Sequence, residues 1–239
     1  MMNSLFYCIR FLTILPLKTN FKGEISLLVS WFTSVGLILG GILVIFDKVL
    51  YILIQNIYIT SFISICLWIK LTRGLHLDGL ADTADAFLSV KDTQGKLAIM
   101  KDPHIGTMGV IALIIIIIGK ILFLCKIDIN NRYFALLSTP VFGRFAMNIL
   151  IQFFNCAKVQ GLGSEFLKNK NFKSFLFAAL IPLLFCIISF QSIILILATF
   201  IITFIFGLYC RYEIRGITGD TLGAVCEINE WCILFIFCL

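Results

Sequence analysis

The sequence predicts an all-α fold, a polytopic transmembrane helical bundle of about seven or eight membrane segments with its motif-bearing loops on the cytoplasmic face. Three observations predict it. Sixty per cent of the 239 residues are hydrophobic and 13% are charged, with a mean hydropathy of +1.05, whereas soluble domains run at about 45–50% and about 25%. The apolar runs are solid, as over residues 110–118. Barrel strands would alternate, and lipid admits only helices or closed barrels. Finally, the basic residues lie mostly between alternate apolar runs.

Each run can be justified in order, at about 20 residues per crossing. Segment 4–17 is short for a span. It holds Arg10 among apolar residues and lacks a small-residue cleavage site, so it reads as a retained first helix or a re-entrant piece. Segments 25–46 and 49–71 follow, and residues 47–48 are left as their turn. Segments 107–125 and 133–154 come after the long central loop. Segments 174–189 and 192–209 meet at Phe190–Gln191. Segment 223–239 contains Glu227 and Glu230 and is expected to enter the membrane only in part. No repeat, linker or soluble domain interrupts the chain, which reads as one integral-membrane domain over residues 1–239. The nine cysteines form no CxxC pair and sit in or beside apolar runs, as inert buried thiols do.

Counting crossings puts loops 18–24, 72–106, 155–173 and 210–222 on one face. That face carries twelve basic residues: Lys18, Lys22, Arg73, Lys91, Lys96, Lys101, Lys158, Lys168, Lys170, Lys173, Arg211 and Arg215. The opposite loops carry three, Lys48, Lys126 and Arg132. Twelve against three is a positive-inside asymmetry, so the motif loops are predicted to be cytoplasmic. Arg10, Lys70, Lys120 and Arg144 fall inside apolar segments. Lys70 is near a span end and can snorkel. Arg144, preceded by Pro140 and Gly143, is expected to face substrate; the alternative is a structural pair with a buried carboxylate.

The most informative stretch is Arg73-Gly-Leu-His-Leu-Asp-Gly-Leu-Ala-Asp-Thr-Ala-Asp-Ala-Phe87. Asp78, Asp82 and Asp85 are spaced i, i+4, i+7 and share a wedge of about 60° on a helix. Their neighbours are Leu, Ala and Phe, unlike those of a solvated acidic face. Three carboxylates this close repel one another, and Mg²⁺, which takes oxygen ligands from one or two carboxylates and from phosphates, is the natural compensation. His76 and His104, the only histidines, both lie in this loop and suit proton transfer or phosphate contact. In Met100-Lys-Asp-Pro-His-Ile-Gly-Thr-Met-Gly109, Lys101 is a candidate phosphate contact and Asp102 a candidate metal ligand or catalytic group. The Gly106–Gly109 turn could bring amides to an anion at a helix start. In Arg215-Gly-Ile-Thr-Gly-Asp-Thr-Leu-Gly223, Gly216, Gly219 and Gly223 allow close backbone approach, and Asp220 is either catalytic or an N-cap. Acids, bases and glycine turns at one membrane face suit phosphoryl transfer, which needs cations and positioning. There is no P-loop signature and nothing that points to nucleic acid.

Residues 74–85, Gly-Leu-His-Leu-Asp-Gly-Leu-Ala-Asp-Thr-Ala-Asp, resemble the signature of the cobalamin synthase family, the adenosylcobinamide-GDP ribazoletransferases. Ile99-Met-Lys-Asp-Pro-His-Ile-Gly-Thr107 is similar to its second motif. Gly143-Arg144, Gly161-Leu-Gly163 and Thr218-Gly-Asp-Thr-Leu-Gly223 with Glu227 and Glu230 resemble later ones, in the family's order across nearly the whole chain. The resemblance implies a multi-pass enzyme of the bacterial inner membrane, with its site facing the cytoplasm, acting late in cobalamin biosynthesis. It implies transfer of α-ribazole, or its 5′-phosphate, onto adenosylcobinamide-GDP with release of GMP, and a Mg²⁺ requirement. Asp78, Asp82 and Asp85 would hold the metal. His76, Asp82, Asp102 and Asp220 would be catalytic. Lys101, His104, Arg144, Gly106 and Gly219 would bind substrate. The implied partners are the two substrates and the lipid bilayer, with a homo-oligomer or a complex with other cobalamin-assembly enzymes left open.

The chain departs from the family pattern at Arg73 and Ala86, where Gly is frequent, and at Pro103-His104, where Ser-Arg is frequent. His104 is the expected substitute for that Arg. Two rivals fit less well. A CDP-alcohol phosphotransferase would have Arg where Asp82 stands. An ion-coupled transporter using Glu227, Glu230 and Arg144 would have paired interrupted spans.

Overall fold

A computed structural model describes residues 2–19, 26–157 and 170–239, so Lys22, Lys158, Lys168 and the Gly161–Gly163 motif lie outside the described residues. The apolar runs become helices: α1 (Met2–Leu12), α2 (Ser26–Val29), α3 (Phe32–Ile54), α4 (Ile57–Thr72), α5 (Leu75–Phe87), α6 (Thr93–Ile99), α7 (Thr107–Lys126), α8 (Ile129–Phe153), α9 (Phe172–Ile188), α10 (Gln191–Ile214) and α11 (Gly219–Ile236). Four stretches are long and apolar enough to cross a membrane: 27–54, 107–126, 129–153 and 191–214. Ile57–Thr72 and Phe172–Ile188 are shorter apolar helices. The fold is a polytopic membrane bundle.

At its centre is α8. Every residue from 138 to 151 is buried, so this helix meets protein on all sides and tolerates Ser138, Thr139, Arg144 and Asn148. The lipid-facing surface is carried by its neighbours, where Ile45, Leu53, Ile115, Leu122, Ile187 and Leu197 stand exposed. Helix α3 approaches α8 closely because Gly36 and Gly40, four apart, present bare backbone. A Cβ at Gly36 would lie 2.9 Å from the Val141 Cα, and one at Gly40 2.9 Å from the Leu137 Cα. This is the small-xxx-small contact of membrane helices.

One expectation is corrected. Residues 47–48 are not a turn. Helix α3 runs on to Ile54, and the chain reverses at Gln55, which is left-handed at φ 53°. Asn56 then caps α4, its side-chain oxygen accepting the Tyr58 and Ile59 amides at 3.0 and 3.2 Å. Asp47 can stay inside because Arg132 meets it: Nε donates to Oδ2 at 2.8 Å and Nη2 to Oδ1 at 2.7 Å, and Ser64 Oγ donates to Oδ1 at 2.8 Å. Arg132 is therefore fully buried, not a loop cation.

Helix α1 is short, as segment 4–17 predicts. Its 11 residues reach only about 16 Å, half a hydrocarbon core. It lies at the motif-bearing end, pinned by Arg73 Nη2, which donates to the Arg10 and Phe11 carbonyls at 3.2 and 3.0 Å, and by the Ile14 amide on Leu71 O at 2.8 Å. The same end gathers the other motif loops. Thr93 Oγ1 donates to Glu213 O at 3.1 Å, Lys96 pairs with Glu213, and the 155–157 strand fragment bonds Ile217.

Candidate active site

Helix α5 starts from a sharp break. Arg73 and Gly74 are both left-handed, at φ 54° and 64°, and swing the chain from the end of α4 across the bundle. Helix α5 then packs on the start of α11 more tightly than side chains would allow. A Cβ at Gly79 would fall 2.6 Å from the Asp220 carbonyl oxygen, and one at Gly223 3.1 Å from the His76 carbonyl oxygen. This bare contact sets Asp220 beside the α5 acids. Asp220 is not the N-cap of α11. Thr218 is, in a reciprocal box with Thr221: the Thr221 amide donates to Thr218 Oγ1 at 3.3 Å and the Thr218 amide to Thr221 Oγ1 at 2.8 Å. The Asp220 carboxylate is left for the site.

Four carboxylates thus converge. Burial, then Asp220, Asp78 and Asp85, push the Asp82 carboxyl from the ordinary 3.8 up to about 6. Burial and Asp78 raise Asp220 as well. Among the described residues no cation pairs with them, and protonation is what relieves the acids of one another. Asp85 has a different task from its neighbours. Its two oxygens accept the Gly106 and Gly109 amides, at 2.7 and 2.8 Å, and so cap the first turn of α7. A Cβ at either glycine would strike this carboxylate. The expectation that the 106–109 turn offers amides to a substrate anion is corrected here: the anion on that helix start is the protein's own Asp85.

The trio Asp78, Asp82 and Asp85 accordingly does not close into a three-ligand cage, and among the described residues no group of three His, Cys, Asp or Glu does. Mg²⁺ does not need one, because it keeps several waters and takes one or two carboxylates plus phosphate oxygens. The Asp78 and Asp82 carboxylates carry no hydrogen bond or ion pair among the described residues, so their oxygens are open to a ligand.

A cavity of about 220 Å³ opens beside them. Its lining is mixed: His76, Asp78, Gly219 and Asp220 bring polar groups and bare backbone, and Phe11, Leu12, Phe32, Met147 and Leu222 bring apolar surface. His76 is buried with no partner on Nε2. Burial, with Arg144 and Lys120 nearby, holds its pKa well below the ordinary histidine range, so the ring is neutral. The apolar wall had no sequence signal, since Phe and Leu are everywhere in this chain.

Other expected site residues lie elsewhere. Lys101, Asp102 and His104 are exposed on the loop before α7. Asp102 Oδ1 accepts the His104 amide at 3.0 Å and lies 2.7 Å from His104 Nδ1, contacts that hold its carboxyl below the usual range. No contact among the described residues ties these three to the carboxylates. Arg144 is 1% exposed; it pairs with Glu230 and is not among the residues that line the cavity, and its Nε has no partner among the described residues. Lys120 closes the network at 2.6 Å from Glu227 and 2.5 Å from Glu230, over the Trp68 ring. Gly143 makes room for Glu230, whose Cγ would lie 2.7 Å from a Cβ there. Two cations and two anions are neutralised inside the bundle, the structural alternative the sequence left open for Arg144.

Comparison with known proteins follows this geometry. The family model described as cobalamin-5-phosphate synthase matches residues 4–238. The adenosylcobinamide-GDP ribazoletransferase of Thermoanaerobacter sp. (strain X514) is 36% identical over 95% of this chain and 94% of its own. That of Caldanaerobacter subterraneus subsp. tengcongensis is 36% identical over 99% and 97%, and that of Clostridium tetani 35% over 96% and 93%. No solved structure matches. With all but the first three residues and the last inside the family model, and the aspartate, glycine and threonine motifs folded into one site, the chain belongs to the cobalamin-5-phosphate synthase family.

Proposed function

We propose that this chain is a Mg²⁺-dependent transferase of the bacterial inner membrane that joins α-ribazole, or its 5′-phosphate, to adenosylcobinamide-GDP and releases GMP, with its site facing the cytoplasm. The activity named for the relatives supports the reaction. The observation that carries the metal reading is the convergence of Asp78, Asp82, Asp85 and Asp220 without a compensating cation, at the mouth of a cavity.

The reaction forms one oxygen–phosphorus bond and breaks one. The nucleophilic oxygen of the ribazole attacks the phosphorus attached to the cobinamide; the bridge to the second phosphorus breaks, GMP departs and the nucleophile's proton is lost. One or two of Asp78, Asp82 and Asp220 would hold Mg²⁺, which would supply positive charge to the diphosphate oxygens. Asp85 holds the start of α7 against α5 and so keeps the acid stripe in register. Gly79 and Gly223 keep Asp220 within reach of that stripe, and Gly219 leaves bare backbone at the cavity rim. The apolar wall excludes water from one side of the reacting groups, which strengthens every charge interaction there.

Orientation follows from charge. With Arg132 neutralised by Asp47, the far end keeps Lys48 in α3 and Lys126 at the end of α7, against the basic residues of the motif end, and the asymmetry supports a cytoplasmic site. The test is direct. Purified protein given adenosylcobinamide-GDP, α-ribazole and Mg²⁺ is expected to release GMP, and EDTA is expected to stop it. Metal-independent release would overturn the Mg²⁺ assignment, and no release from well-folded protein would overturn the activity. A reporter at Lys91 that reads as periplasmic would reverse the orientation.

A further inference from the structure

We propose that the cavity under α1 seats the planar base of the incoming nucleoside, and that Phe11, Phe32, Met147 and Leu222 set which base is accepted. The inference rests on the transferase reading above and adds to it where one substrate binds and what selects it.

Size is the first argument. The cavity holds about 220 Å³. A closed apolar cavity of about 150 Å³ takes a benzene, and sites for whole drug-sized ligands run to about 300–1,000 Å³. The space therefore suits a bicyclic ring and not a corrinoid, which must stay outside at the mouth. Chemistry is the second. Phe11 and Leu12 come from α1, Phe32 from the start of α3, Met147 from α8 and Leu222 from α11. These side chains offer an aromatic ring dispersion contacts and no hydrogen bonds. Guanine, the other base in the reaction, would leave its amide and amino groups unpaired wherever they met these side chains, which disfavours it. A base with a hydrocarbon edge loses nothing there. Methionine adapts to such ring edges, and Met147 is buried in the central helix. Proximity is the third argument. The same cavity is lined by His76, Asp78, Gly219 and Asp220. A base seated in it lies beside the carboxylates, where its sugar oxygen must meet the diphosphate.

Equilibrium dialysis with detergent-purified full-length protein tests this, using α-ribazole and an analogue with adenine on the same sugar. Wild type is expected to bind α-ribazole at least about tenfold tighter than the analogue, the scale of discrimination by an apolar pocket. Met147→Ala is expected to weaken α-ribazole binding and raise its KM by about tenfold, while the KM for adenosylcobinamide-GDP stays unchanged. Met147→Leu, which conserves volume, is expected to restore binding and so separates a pocket effect from misfolding. Equal affinity for the two nucleosides, or a Met147→Ala effect falling equally on both substrates, would overturn the proposal. Protein that binds α-ribazole selectively but releases no GMP would leave the pocket standing and refute the transferase reading. GMP release with base-blind nucleoside binding would do the reverse.

Discussion

Replacing Asp82 with Asn should make the metal-free protein more stable and the enzyme inactive. In the folded chain the Asp82 carboxyl is raised from 3.8 to about 6 by burial and three neighbouring acids. A raised carboxyl binds protons in the native state that the unfolded chain has released. Stability from this group is therefore whole below about pH 4, falls as pH climbs, and is lost above about pH 6. A shift of two units is worth about 3 kcal/mol, but Asp82 is partly exposed and solvent screens it, so about 1 kcal/mol is the working figure. In a chain of this size that is roughly 2–4 °C. All nine cysteines are free and three of them, Cys8, Cys210 and Cys226, are buried, so a thiol-reactive fluorophore reports unfolding in detergent through these three. At pH 7.5 in EDTA, Asp82→Asn should melt above wild type by that amount; at pH 4 the difference should vanish. Mg²⁺ at 100 times its dissociation constant should stabilise wild type by about 2.7 kcal/mol and the variant by less than half of that. Asp82→Asn should also nearly abolish GMP release while the protein still inserts. A variant less stable than wild type in EDTA, or one with an undiminished Mg²⁺ response, would refute the reasoning.

Two further predictions probe the scaffold. Gly79→Ala drives a Cβ to within 2.6 Å of the Asp220 backbone; neither helix backbone can yield locally, so the cost is about 1–3 kcal/mol and GMP release should fall about 10²-fold as the acids separate. Gly41→Ala, whose Cβ would meet nothing within 4 Å, is the control and should leave melting and turnover unchanged. Arg132→Ala strands Asp47 at the far end, and should cost about 3–5 kcal/mol in melting experiments with little change in either substrate's KM; a selective KM effect would count against separating the two ends.

Much of this was legible in the sequence, for identifiable reasons. Solid apolar runs fix helices and their order, because lipid leaves the backbone no other choice. The i, i+4, i+7 acids fix a stripe before any neighbour is known. What escaped was pairing across the bundle. Asp47 reads as a turn residue because a lone acid beside a span belongs in water, and only Arg132, 85 positions away, reverses that. Asn56, the cap that marks the true turn, was a local signal and could have been used. Asp85 looks like its neighbours Asp78 and Asp82, since nothing in its spacing says that the Gly106 and Gly109 amides will reach it. Arg144 followed the rule that intramembrane cations mark function, but the same rule applies to Glu230, and the two cancel. Phe11 and Met147 carry no signal in a chain with 24 Phe.

The pairing pattern itself argues for an external cation. Among the described residues, the buried basic side chains are all assigned to acids away from the site: Lys96 to Glu213, Lys120 to Glu227 and Glu230, Arg132 to Asp47 and Arg144 to Glu230. The bundle thus neutralises its inner carboxylates where structure alone is at stake. It also gives Asp85 two amides. Yet Asp78, Asp82 and Asp220, which share one helix contact, receive no basic partner, and two of them are driven up by burial and then by the neighbouring acids. Leaving acids uncompensated only at the cavity mouth costs stability in the empty protein. The cost is removed when a divalent ion and a diphosphate arrive together. Ion and substrate should therefore bind with positive coupling, each tightening the other by the same factor, and independent binding of the two would contradict this account of the site.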